Sequence, residues 1–186
     1  MRGILLATFL ALVPAITGAQ DNTFLKTAPD PKSEAWWLRT KYRAFNLDVR
    51  GIPVAKIRAN WCKATEFRKE LFPPDLAAYF GDEKSPFAVD GFFDGSRTKQ
   101  TALVGVYETC KTKRGAFFLI LAWPTGKPPV ILFVREIPGE GEFATVSVDS
   151  DSMISVYHCM ECDHRSKFKW SQSKRRFVLL SPDDFE

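Results

Sequence analysis

The stretch "TALVGVYETCKTKRGAFFLILAWPTGKPPVILFVRE" (Thr101 to Glu136) decides the fold. It holds three runs rich in β-branched and aromatic residues, Thr101 to Cys110, Ala116 to Trp123 and Val130 to Glu136. The links between them are "KTKRG" and "PTGKPP". Apolar runs bounded by Gly, Pro and polar clusters read as strands. Links this short force antiparallel neighbours, because a parallel crossover needs roughly a dozen residues. The second and third runs are apolar on both faces, which places them centrally in a sheet.

Working outward, the same alternation of run and turn continues downstream. "FATVSV" (143–148), "MISVYHC" (153–159), "KFKW" (167–170) and "RFVLL" (176–180) are strands, joined by "IPGEGE", "DSDS" and "SQSK". Upstream the character changes. "NWCKATEFRKELF" has Asn60 as a cap and Trp61, Ala64, Phe67, Leu71 and Phe72 at helical spacing, which predicts a helix. "PPDLAAYFG" restarts with Pro74 in a first turn and stops at Gly81. "WWLRTKYR" (36–43) has period two and predicts a half-buried strand, and "NLDVRGIPVAKI" (46–57) predicts a short strand pair turning near Gly51. The expected fold is mainly β (α+β). It is an antiparallel meander sheet or sandwich with one or two short helices packed on it, stapled by disulfides.

The N-terminus predicts export. Met1-Arg2 precedes the apolar run Ile4 to Val13, and Thr17-Gly18-Ala19 offers small residues for cleavage before Gln20. The run falls short of the ~20 residues needed to span a bilayer, so no membrane anchor is expected. Residues 1–19 are read as a signal peptide, 20–34 as a flexible polar arm, and 35–186 as one β-rich domain. The expected location is the periplasm or the medium. Without Arg2, 25 basic residues face 22 acidic ones, for a net charge of +3. That excess is too mild for a nucleic-acid partner.

"HCMECDH" (His158 to His164) packs both histidines and two of the four cysteines into seven residues. Zinc needs four converging ligands, but His158 and Cys159, adjacent on a strand, point to opposite faces. A reactive C-x-x-C needs a helix N-terminus to stabilise its thiolate, and strand-like runs flank this one. Four cysteines in an oxidising compartment point instead to two structural bridges. Three connectivities are open; the favoured one pairs Cys62 with Cys110 and Cys159 with Cys162. With both histidines placed in a turn, no independent base remains for a Ser-His-Asp or Cys-His arrangement. Glu136, Glu140 and Glu142 crowd one loop, which reads as a solvated tip.

"DGFFDGSRTKQTALVGVY" (Asp90 to Tyr107) resembles an FG-GAP or VCBS-type unit, whose loop reads roughly G-D-F-D-G-D-G-x-x-D before an apolar strand. Gly91, Phe93, Asp94, Gly95 and Ala102 fit that pattern. Phe92, Ser96 and Gln100 stand where it has its other carboxylates. Ca²⁺ takes about six to eight oxygens, several of them anionic. The loop with Asp90 and Asp94 is therefore degenerate, expected to serve as a turn and to hold no metal. A plain Asp-Gly turn accounts for it equally. "CDHRSKFKWSQSKRRFVLL" (162–180) resembles the closing hairpin of small exported bacterial β-domains, among them periplasmic lysozyme inhibitors and effector-immunity proteins. The resemblance implies a periplasmic protein that grips another protein, without a cofactor and without catalysis.

The expected function is accordingly an inhibitor or immunity protein against a secreted, envelope-targeting toxin or hydrolase. The alternatives are a secreted carboxylate-dependent glycan hydrolase and a structural envelope module that binds glycan or metal. Loops on a firm sheet are where recognition is carried. The expected contact tips are "PGEGE", with Gly139, Glu140, Gly141 and Glu142, and "WPTGK", with Trp123 and Lys127, a place in the core being the alternative reading of Trp123. The "KRR" cluster (174–176) reads as a solvated strand end.

Overall fold

The computed structural model describes residues 23–27, 29–30, 32–80, 86–137, 142–149, 152–160 and 164–180. In chain order the elements begin with the one-turn helix α1 (Trp36–Arg39), the hairpin β1 (Asp48–Val49) and β2 (Ile52–Pro53), and α2 (Val54–Ile57). Then come β3 (Trp61–Glu66), α3 (Pro74–Ala77), β4 (Ala88–Gly91), β5 (Gln100–Thr109), β6 (Arg114–Ala122) and β7 (Val130–Ile137). The chain closes with β8 (Thr145–Val148), β9 (Ile154–Tyr157), β10 (Arg165–Ser171) and β11 (Arg176–Leu179). All paired strands are antiparallel, in a five-stranded sheet ordered β3-β5-β6-β7, with β4 also on β5, and a four-stranded sheet ordered β11-β10-β9-β8. The protein is mainly β, as its run-and-turn pattern requires.

The central strands are apolar on both faces because both faces are covered. Ala102, Val104, Phe118 and Ile120 pack against Val156, Phe168 and Phe177 of the smaller sheet and against an aromatic cluster around Phe67. On the opposite face Leu103, Tyr107, Phe117 and Leu119 lie under Val49, Ile57 and Trp61. Trp61 stacks on Tyr107 at 4.5 Å, nearly parallel. Burial and the nearby Glu136 carboxylate push the Tyr107 phenol up to about 12. The strands so sandwiched are β5 and β6; the run Val130 to Glu136, expected in the centre, is the edge strand β7.

Three upstream expectations are corrected. Trp61 to Glu66 is a strand, not a helix. Its register against β5 slips between Trp61 and Lys63, so Cys62 is an extra residue on the bulged strand. The bulge brings Trp61 and Ala64, three apart, to one face, and a spacing of three imitates a helix. Trp36–Arg39 is a single helical turn, not a strand: Trp36 and Trp37 are both buried and Leu38 is turned outward. Residues 23–27, within the segment expected to be a loose arm, are pinned. Leu25 bridges Tyr42, Arg43 N donates to Phe24 O at 2.8 Å, and Phe24 is buried. Pro74 does open a helical turn, as its position predicts.

β3 and β4 share one flank of β5, β3 against Gly105 to Thr109 and β4 against Gln100 to Leu103. Between them the chain leaves the sheet at Phe67 and is back at the same point at Phe87. Phe67 N donates to Val104 O, and Val104 N donates to Phe87 O, each at 3.0 Å. Gly105 makes this pinch possible. A Cβ there would stand 2.3 Å from the Thr65 carbonyl oxygen and 2.7 Å from the Phe117 ring. Gly105→Ala is therefore expected to cost roughly 3 kcal/mol, since backbone on one side and a buried ring on the other leave no room to relax. Urea unfolding checks it; a loss below about 0.5 kcal/mol contradicts the close approach.

Candidate functional site

The cysteines are staples. Cys62 and Cys110 are bonded across β3 and the end of β5, 48 residues apart in sequence. Cys159 is also disulfide-bonded, and Cys162, its expected partner, lies outside the described residues. Beside it, the His158 and His164 rings lie 5.0 Å apart, and His158 N donates to His164 O. His158 Nε2 is 3.2 Å from Ser166 Oγ. Among the described residues no three His, Cys, Asp or Glu side chains converge on a point where a metal would sit.

Burial first, then the neighbouring His164 and Arg135, push the His158 imidazole below its usual 6.5. Above about pH 6.5 folded and unfolded chains both carry it neutral, so nothing is lost. As pH falls, the unfolded chain takes the proton first, and stability drops until the lower folded pKa is passed. The melting temperature is thus expected to fall below about pH 6.5, and His158→Gln to flatten that fall. Parallel slopes for the two proteins contradict the assignment.

Of the expected contact residues, Gly139, Glu140 and Gly141 lie outside the described residues. Glu142 is turned inward, where its Oε2 accepts the Tyr42 backbone N–H at 2.9 Å. Lys127 is exposed in a turn that Gly126 enters at φ +70°. Trp123 is half-buried, and its Nε1 donates to Thr101 Oγ1 at 2.9 Å. That hydroxyl donates in turn to Asp90 Oδ1 at 2.6 Å, and Lys99 Nζ meets Asp90 Oδ2 at 2.8 Å. The structure thus joins Trp123 and Asp90, nominated separately, through Thr101. Partial burial opposes ionisation of Asp90, but Lys99 and Thr101 outweigh it and hold the carboxyl below its usual range. Asp94 accepts Ser96 N within its own turn.

Other carboxylates are engaged by fixed internal partners. Glu66, nearly buried, takes both Nε and Nη2 of Arg50 at the rim of a polar pocket of about 430 Å³. Arg114 Nε donates to Glu108 Oε2 at 2.8 Å, and Trp61 Nε1 donates to Glu136 Oε1 at 3.0 Å.

The surface that the sequence does not single out lies between the two sheets. β7 ends the larger sheet and β11 ends the smaller one, and a groove of about 620 Å³ runs between them. Phe133 and Phe177, 6.3 Å apart, lie along its floor. Arg58, Arg135, Lys174 and Arg176 line it, and among the described residues no carboxylate does. Two features blunt the β7 edge: Leu132 is a bulge opposite Ile120 and Leu121, and Arg58 Nη2 donates to Val134 O at 3.1 Å. Arg135 lies over the Phe168 ring, 5.6 Å from its centre. The legible signal was the "KRR" cluster together with the apolar run Val130 to Val134; what was missing was their adjacency.

Comparison of the chain with protein-family models, with curated proteins and with solved structures yields no match. Among the described residues no helix is long and apolar enough to cross a membrane.

Proposed function

We propose that this chain is an exported, non-catalytic binding protein, an inhibitor or immunity protein against a secreted, envelope-targeting toxin or hydrolase. The observation that carries the reading is the groove between β7 and β11: a wide apolar floor with one sign of charge, mounted on a frame crosslinked between β3 and β5. A rigid frame spends little conformational entropy on docking, and apolar contact rimmed by charge is how proteins grip one another. The bridge between Cys62 and Cys110 accords with an oxidising compartment, and the N-terminal leader with a route to it.

The test is co-purification of residues 20–186 with a secreted toxin encoded beside this chain, followed by assay of the toxin with and without an equimolar amount of it. A stable complex with loss of toxin activity is the expected result. A complex that leaves the toxin fully active, or no complex at micromolar concentration, defeats the proposal.

A further inference from the structure

We infer that the β7/β11 groove receives an extended, acidic segment of the partner protein, its carboxylates against the basic walls and its apolar side chains on the aromatic floor. The inference rests on the reading of the chain as a binding protein and adds the chemistry of what it binds. Four cations converge on the groove from three separate parts of the chain: Arg58 after α2, Arg135 on β7, and Lys174 and Arg176 at the start of β11. With no carboxylate among the described lining residues, their fields add along the groove, and a partner of opposite sign is steered to it.

The floor decides the rest. Leu179 at the end of β11 is more than two-fifths exposed, and Ile131 to Val134 are half-buried. An extended segment places alternate side chains on opposite sides, so apolar residues reach Phe133 and Leu179 while acidic ones meet the rim. Continuous strand addition along β7 is obstructed, because Leu132 breaks the register and Arg58 already occupies Val134 O. Recognition therefore runs chiefly through side chains. The same charges disfavour a second copy of this chain, since facing grooves would set four cations against four.

The probe is a fluorescein-labelled peptide alternating Glu or Asp with Val or Phe, about eight residues long, read by anisotropy against residues 20–186. A matching peptide with Lys in place of the acids is the control. The acidic peptide should bind, weaken as NaCl rises from about 0.05 M to about 0.5 M, and outcompete the basic one. Lys174→Glu with Arg176→Glu, both exposed, should weaken it about 10-fold or more, and Arg58→Glu on the opposite wall should do the same. Lys111→Glu, exposed and outside the groove, should not. Equal binding of the basic peptide, no binding of the acidic one, or displacement of it by phosphatidylglycerol vesicles overturns the inference. So does concentration-dependent dimerisation that the charge reversals abolish.

The two readings fail separately. If the Lys174→Glu/Arg176→Glu protein still neutralises its toxin, the groove is not the site and the function stands. If the wild-type chain binds the peptide but neutralises nothing, the groove stands and the function falls.

Discussion

Replacing Cys62 and Cys110 together by alanine is expected to lower the unfolding free energy by about 4 kcal/mol. The bridge closes a loop spanning 48 residues, and the entropy it removes from the unfolded chain grows with the logarithm of that length. The location adds a second reason. Cys62 is the extra residue of the β3 bulge, where the hydrogen-bond ladder to β5 is interrupted. The covalent link restores at that point what the ladder lacks. For a domain of this size the melting temperature should fall by roughly 8–16 °C. A fall of less than about 2 °C would mean that the bulge holds itself and the bridge is redundant.

Phe67→Ala is expected to cost roughly 4 kcal/mol, the upper range for truncating a buried aromatic ring. Phe67 is fully buried and stands between Phe24 at 5.4 Å, Tyr42 at 5.2 Å, Phe87 at 5.4 Å and Phe143 at 5.8 Å. Those rings come from four separate stretches of chain. Truncation opens a cavity that no single neighbour can fill, because Phe24, Tyr42 and Phe87 are each held by their own backbone pairing. Phe67→Leu should recover more than half of the loss. Tyr79→Ala, at a ring half exposed on the same aromatic cluster, should change stability by less than about 0.5 kcal/mol. If Phe67→Ala proves as mild as Tyr79→Ala, the cluster is not a unit.

How much of this could be read from the residues depends on the range of the interactions. The seven strands from Gln100 onward were legible because each alternates or runs apolar between turns, and both properties are local. Pro74 was legible for the same reason. Trp61 to Phe67 was not, because a bulge changes the period from two to three, and only the partner strand determines where a bulge sits. Trp37 misled because a buried pair of adjacent tryptophans is incompatible with either simple period.

The candidate site was the least legible part. Arg58 and Arg176 lie far apart in sequence, and only the meeting of two sheet edges brings them to one groove. The apolar run of β7 was visible, and its two faces do pack on the two core clusters, Leu132 and Phe133 on one and Ile131 and Val134 on the other; what the run could not tell is that β7 ends the sheet. Glu142 illustrates the opposite error. An acidic residue beside glycines looks like a tip, yet the backbone N–H of Tyr42 draws its side chain inward.

The return of the chain to Val104 has an evolutionary reading. Because residue 67 and residue 87 bond to the two sides of one peptide neighbour, the sheet registers no difference between a long detour and a short one. A change of length between the two anchor points would leave the pairing of the sheet intact provided Phe72, Leu76 and Phe80 kept their places in the core, so a lineage could vary this segment without re-inventing the sheet.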